Sequence, residues 1–214
     1  MQVRIVVVTP FQQNCSVFWC EETMKGAVVD PGGDLDHIQS AIDESGAEID
    51  KVILTHGHVD HAAFAGDLAK RLGVPIIGPH IADKFLIDKV ADQAAEYGFG
   101  SPGAFQPDEW LDQGDVVEVG NLKLDVKHCP GHSPGSVVFF SEKHRVAIAG
   151  DVLFKGSIGR TDLPGGDHDA LIAAIRRELW PLGDDVAFVP GHGPVSSFGV
   201  ERQTNPFVAD QLFR

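Results

Sequence analysis

The run Thr55-His56-Gly57-His58-Val59-Asp60-His61 constrains this chain more than any other feature. It sets four imidazole or carboxylate groups, His56, His58, Asp60 and His61, within six residues. The apolar run Val52-Ile53-Leu54 precedes it and reads as a short buried strand. Ala, Leu and Phe at helical spacing over 60–72 follow it, ended by Gly73 and Pro75. Burying four such groups together without a cation would be costly in desolvation and repulsion. In an extended turn His56 and His58 can point to one side, while Asp60 and His61, at a helix start, can face a second centre. Neutral imidazole and carboxylate suit Zn²⁺ and similar first-row ions, and Gly57 leaves room beside them.

Three further residues share that context. His132 sits in Pro130-Gly131-His132-Ser133-Pro134, after a strand at 122–127. Asp151 follows Val146-Ala147-Ile148-Ala149-Gly150, and His192 sits in Pro190-Gly191-His192-Gly193-Pro194, after a strand at 186–189. The two Pro-Gly-His turns echo one another. Alone, each residue is an ordinary polar loop position; with the first run they describe ligands converging at strand ends. Elsewhere the patterning predicts strands at 3–8, 15–20, 26–29, 74–77, 115–119, 136–140 and 145–149. It predicts helices at 35–45, capped by Asp34, at 80–97, and at 168–179, where Leu171, Ile172, Ile175 and Leu179 share a face. Asn205-Pro206-Phe207 is expected to start a closing helical segment, and Asn14 to stabilise a turn.

The 214 residues, 43% apolar, are enough for one domain with a substantial core. No apolar run approaches the length of a membrane span. The chain opens directly into a strand-like pattern without a basic-then-apolar leader, so a cytoplasmic location is expected. A net charge of −14 disfavours nucleic acid as a partner, because phosphate contacts need clustered Lys and Arg. Cys15, Cys20 and Cys129 show no Cys-x-x-Cys spacing and are expected to be reduced, with two or more packed in the core.

In order and spacing, His56-x-His58-x-Asp60-His61, then His132, Asp151 and His192, resemble the metallo-β-lactamase superfamily, from about Asn14 to His192. The resemblance implies an α/β fold: a four-layer αβ/βα sandwich of two mixed sheets flanked by helices. It implies one metal on His56, His58 and His132, a second on Asp60, His61 and His192, and Asp151 bridging them. Asp30, in Val29-Asp30-Pro31-Gly32, matches an acidic motif that orients a ligand histidine from behind. Within the superfamily, Cys129-Pro130-Gly131-His132-Ser133-Pro134-Gly135 and Ala149-Gly150-Asp151 look like the glyoxalase II group, in its short bacterial form. The implied activity is hydrolysis of a small-molecule thioester such as S-lactoylglutathione. The implied cofactors are two divalent ions, zinc first, with iron or manganese as alternatives. Asp60 and Asp151 would orient a metal-activated water that attacks the carbonyl.

The chain departs from full-length glyoxalase II in two ways. Residues 1–214 read as a single metallo-hydrolase domain, without the C-terminal helical domain that holds glutathione. Arg160 matches the family's basic substrate-binding residue, but Asp162 and Pro194 stand where substrate-contacting tyrosines are found. Arg160 could hold a substrate carboxylate or form an ion pair with Asp162 or Asp167. Gly159-Arg160-Thr161-Asp162 also resembles the persulfide dioxygenases, which use the same fold with a single iron.

Overall fold

The computed structural model describes residues 1–213. Its first half runs β1 (Gln2–Val8), β2 (Gln13–Trp19), β3 (Lys25–Val29), α1 (Leu35–Ser45), β4 (Glu48–Ile53), α2 (Val59–Ala62), α3 (Ala65–Leu72), β5 (Ile76–Ile77), α4 (Lys84–Ile87) and α5 (Val90–Glu96). The second half runs β6 (Val116–Val119), β7 (Leu122–His128), β8 (Val137–Ser141), β9 (Val146–Gly150), β10 (Leu153–Phe154), β11 (Ser157–Ile158), α6 (His168–Ala174), β12 (Ala187–Pro190), β13 (Ser196–Ser197) and α7 (Phe198–Thr204). The strands form a five-stranded sheet, β1-β2-β3-β4-β5, and a six-stranded sheet, β13-β12-β9-β8-β7-β6, with β10 and β11 as a separate hairpin.

Three apolar layers make this a sandwich of four. Val6, Val17, Val28 and Val52 pack outward against Ile38, Ile42 and Leu68 of the helices. Phe18, Val29 and Ile53 face Leu124, Phe139 and Ile148 across the space between the sheets. Val138, Phe140 and Phe188 pack outward against Leu171, Ile175 and Leu179. A strand covered on both faces reads as a continuous apolar run rather than an alternating one, and β8 is buried at all five positions. The αβ/βα sandwich implied by the sequence is the fold. Phe139 lies fully buried between the sheets, so Phe139→Ala is expected to cost about 3–5 kcal/mol of stability, read by equilibrium denaturant unfolding.

Strand direction explains where the site falls. β3 and β4 are parallel, β9 and β12 are parallel, and β7 runs with β9 because both are antiparallel to β8. The carboxyl ends of β4, β7, β9 and β12 therefore carry His56, His132, Asp151 and His192 to one edge.

Several elements differ from the sequence reading. The expected helix at 60–72 is broken into α2 and α3, because Phe64 leaves helical geometry (φ −105°, ψ 14°) and its N–H donates to Pro31 O at 3.1 Å. The expected helix at 80–97 is a 3₁₀ turn, Ile81–Asp83, followed by α4 and α5, with the break at Lys89 (φ −109°, ψ −5°). Leu86, Ile87, Val90 and Ala94 are buried at a spacing continuous across that break, so periodicity alone could not show it. The last turn of the 168–179 helix widens into a π-turn at Ile175–Leu179. Asp34 does precede α1, but its carboxylate accepts from Thr9 N at 2.7 Å and caps nothing. Asn205 ends α7, its amide donating to Glu201 Oε2 at 2.8 Å and Ser157 O at 3.0 Å, and the closing helical segment expected there comes a few residues later, as a 3₁₀ turn at Asp210–Phe213. No helix among the described residues is long and apolar enough to cross a membrane.

Candidate metal centre

The seven groups marked in the sequence meet at this edge. His56, His58 and His132 form one triad, and Asp60, His61 and His192 a second; within each, ligand atoms lie within 4.8 Å of one another. His58 Nδ1 is 2.9 Å from His132 Nε2, which is 3.3 Å from His56 Nε2. In the second triad Asp60 Oδ2 lies 3.1 Å from His192 Nε2 and 3.8 Å from His61 Nε2. Asp151 touches both groups: Oδ1 is 3.3 Å from His61 Nε2, and Oδ2 is 3.6 Å from His132 Nε2 and 3.6 Å from His192 Nε2.

Of the opposite ring nitrogens, those of His56, His61, His132 and His192 are occupied, while His58 Nε2 is buried without a partner among the described residues. His61 Nδ1 lies 2.9 Å from Asp30 Oδ2, whose carboxylate also accepts from Thr55 N and Thr55 Oγ1. His132 Nδ1 donates to Arg160 O at 2.8 Å, and His192 Nδ1 to Phe11 O at 3.1 Å. A ring nitrogen that donates outward leaves its partner nitrogen as a lone-pair donor facing inward. Two of the inward atoms, His61 Nε2 and Asp151 Oδ1, are buried without a hydrogen-bond partner among the described residues. Nitrogens sharing a tetrahedral zinc-like ion lie about 3.4 Å apart, close to the separations in the first triad. Buried imidazole and carboxylate atoms at this spacing are those a divalent cation would take as ligands. Gly191 permits the approach: a Cβ there would lie 2.0 Å from Asp151 Oδ1 and 2.6 Å from His61 Cε1.

The two triads differ electrostatically. Burial, reinforced by His61, His132 and His58, pushes His56 well below its ordinary value. Burial and the neighbouring His132 push His58 down to about 3. In the second triad burial works against the charged imidazole, but Asp151 and Asp60 hold His61 well above its ordinary value. Burial likewise opposes protonation of His192, and its contacts with Asp60 and Asp151 outweigh it. Asp151, despite burial, is held far below the usual carboxylate range by His61, His132 and His192.

The site opens into a cavity of about 660 Å³ whose wall includes Phe11, Leu86, Tyr97, Phe154, Arg160 and Leu163. Arg160 enters twice: its carbonyl holds His132, while its exposed guanidinium pairs with Asp162 through Nε at 2.8 Å and Nη2 at 2.7 Å. Asn14 stabilises a turn as expected, though a distant one: it donates to Pro190 O at 3.0 Å and Gly193 O at 2.8 Å, on either side of His192. Sequence reasoning missed Asp83, a fully buried acid behind the first triad. It also missed the Phe11 carbonyl, since a backbone acceptor leaves no mark in a sequence. Cys15, Cys20 and Cys129 are free and buried, as expected.

Residues 8–192 match the sequence model of the metallo-beta-lactamase superfamily. The chain belongs to that superfamily. The hydroxyacylglutathione hydrolase GloC of Haemophilus influenzae is 41% identical over 209 residues, spanning 97% of this chain and 98% of GloC. The crystal structure of BLEG-1 B3 metallo-beta-lactamase superposes with a TM-score of 0.87 at 31% identity, covering 97% of this chain and 99% of that one. TTHA1623, solved in a di-iron-bound form, gives a TM-score of 0.87 at 33% identity, covering 96% of this chain and 100% of that one. Among the metallo-hydrolases of this superfamily, the chain presents a candidate His/Asp metal site at the carboxyl ends of its strands.

Proposed function

We propose that this chain is a binuclear metal-dependent hydrolase that cleaves a small-molecule thioester such as S-lactoylglutathione. One observation carries the reading: two triads at ligand spacing, joined by Asp151, beneath an open cavity. On it, His56, His58 and His132 hold one ion, Asp60, His61 and His192 the other, and Asp151 bridges. Two such ions supply an activated water and Lewis-acid polarisation of the carbonyl. Asp60 and Asp151 orient the attacking water and balance the cations' charge, and Asp30 fixes the His61 ring. Arg160, which lines the cavity and pairs with Asp162 through Nε and Nη2, would meet a substrate carboxylate. The similarity to GloC supports glutathione thioesters as the first class to assay, and the di-iron form of TTHA1623 keeps iron beside zinc as a resident metal. On this reading the described residues act as one hydrolase domain, and Leu86, Gln93 and Tyr97 supply part of its cavity wall.

The test pairs elemental analysis of purified protein with a thioester panel. The expected result is two divalent ions per chain, cleavage of S-lactoylglutathione, loss of activity on chelation and its return with metal. A single iron per chain, oxygen uptake with glutathione persulfide and no thioester cleavage would instead establish the persulfide dioxygenase. The assembled second triad favours the hydrolase.

A further inference from the structure

We propose that Asp83 is the positioning residue of the first triad, tying its two histidine turns into one rigid frame; this rests on the metal reading above. Asp83 is fully buried in the 3₁₀ turn before α4. Its Oδ2 accepts from Gly57 N at 2.8 Å, between His56 and His58, and from Ser133 Oγ at 2.8 Å, next to His132. Its Oδ1 accepts from Gly135 N at 2.6 Å, in the same turn as His132. One carboxylate thus joins two segments some seventy-five residues apart in sequence, each bearing ligands of the same triad. The approach is close enough to exclude a side chain: a Cβ on Gly135 would fall 2.6 Å from the Asp83 carboxyl carbon.

Asp83 is not a member of any ligand cluster, so it acts through the turns and not on the metal. Three donors converging on a buried carboxylate make charge-assisted bonds that are costly to break. They fix the His58 and His132 rings at the separation a shared ion needs. Among the described residues, the Asp83 carboxylate makes no hydrogen bond to Asp60, His61 or His192. Loss of the carboxylate should therefore loosen the first site alone.

The experiment compares wild type, Asp83→Asn, Ser133→Ala and Glu201→Gln, each stripped and titrated with Co²⁺ by visible absorption and calorimetry. Glu201 is a control: an equally buried carboxylate that accepts from Gly156 N, Ser196 Oγ and Asn205 Nδ2, none of them in the turns that carry His56, His58 and His132. Asp83→Asn is expected to weaken first-site affinity by about 10–100-fold and change its cobalt spectrum, with second-site affinity unchanged. Ser133→Ala, which removes one bond of the three, should give a smaller shift the same way and keeps the test decisive if Asp83→Asn does not fold. Glu201→Gln should leave the first-site spectrum as in wild type. Unaltered first-site binding in both Asp83→Asn and Ser133→Ala, or an equal loss in Glu201→Gln, overturns the proposal. Wild type that takes up no cobalt at either triad overturns the metal reading itself.

Discussion

Asp151→Ala is expected to lower kcat/KM for thioester hydrolysis by roughly 10³-fold and to reduce bound metal from two ions to one. Asp151 is the group that touches both triads, one oxygen toward His61 and the other toward His132 and His192. Removing it leaves five imidazoles and the single carboxylate of Asp60 to face two dications. Mutual repulsion of the ions is then poorly balanced, and the more weakly held ion is lost. Asp151→Asn is the sharper variant, since it keeps the shape and deletes the charge. It should lose nearly as much activity as the alanine variant. Steady-state kinetics with metal analysis check both, with circular dichroism confirming the fold. Full activity in either variant would sink the bridging role.

The parts of the site legible in the sequence were those whose chemistry is compressed into a local pattern. His56, His58, Asp60 and His61 lie so close in the chain that only a site explains them. His132, Asp151 and His192 were found because each ends an apolar run, and parallel strand direction then brings such ends together. The four-layer sandwich was implied by the family resemblance, and continuous apolar runs such as that of β8 agree with a sheet covered on both faces. What stayed hidden was non-local or backbone-borne. Asp83 sits in the least regular segment, and nothing near it in sequence announces bonds to Gly57 and Gly135. The Arg160 carbonyl that fixes His132 is invisible beneath a side chain that attracted a different role. The helix breaks at Phe64 and Lys89 escaped because burial spacing continues across them.

The second large effect expected is a separation of the two metals by pH. A ligand must be deprotonated to bind, so a site that stores protons must expel them. In the first triad burial has already driven His56 and His58 to the neutral form, His58 titrating only near about 3. That pair needs to release no proton at pH 6. In the second triad Asp151 and Asp60 keep His61 protonated above its ordinary range, and Asp60 and Asp151 do the same for His192. Below those raised values, affinity falls about tenfold per pH unit for each proton displaced, hence up to about 100-fold for the pair. Equilibrium dialysis should find two ions per chain at pH 8 and one at pH 6. Calorimetry in two buffers of different ionisation enthalpy should show more proton release with the second ion than with the first. Parallel loss of both ions on acidification would contradict the division. In metal-free protein the same groups oppose each other: the stability from His58 is present above about 6.5 and lost as pH falls toward about 3. The contribution of His61 is fully present below about 6.5 and is lost as pH rises through its raised folded value. On the two-metal reading, Asp60 and Asp151 hold protons on His61 and His192 where a second cation would sit, which offsets the burial of two carboxylates and two imidazoles together in metal-free protein.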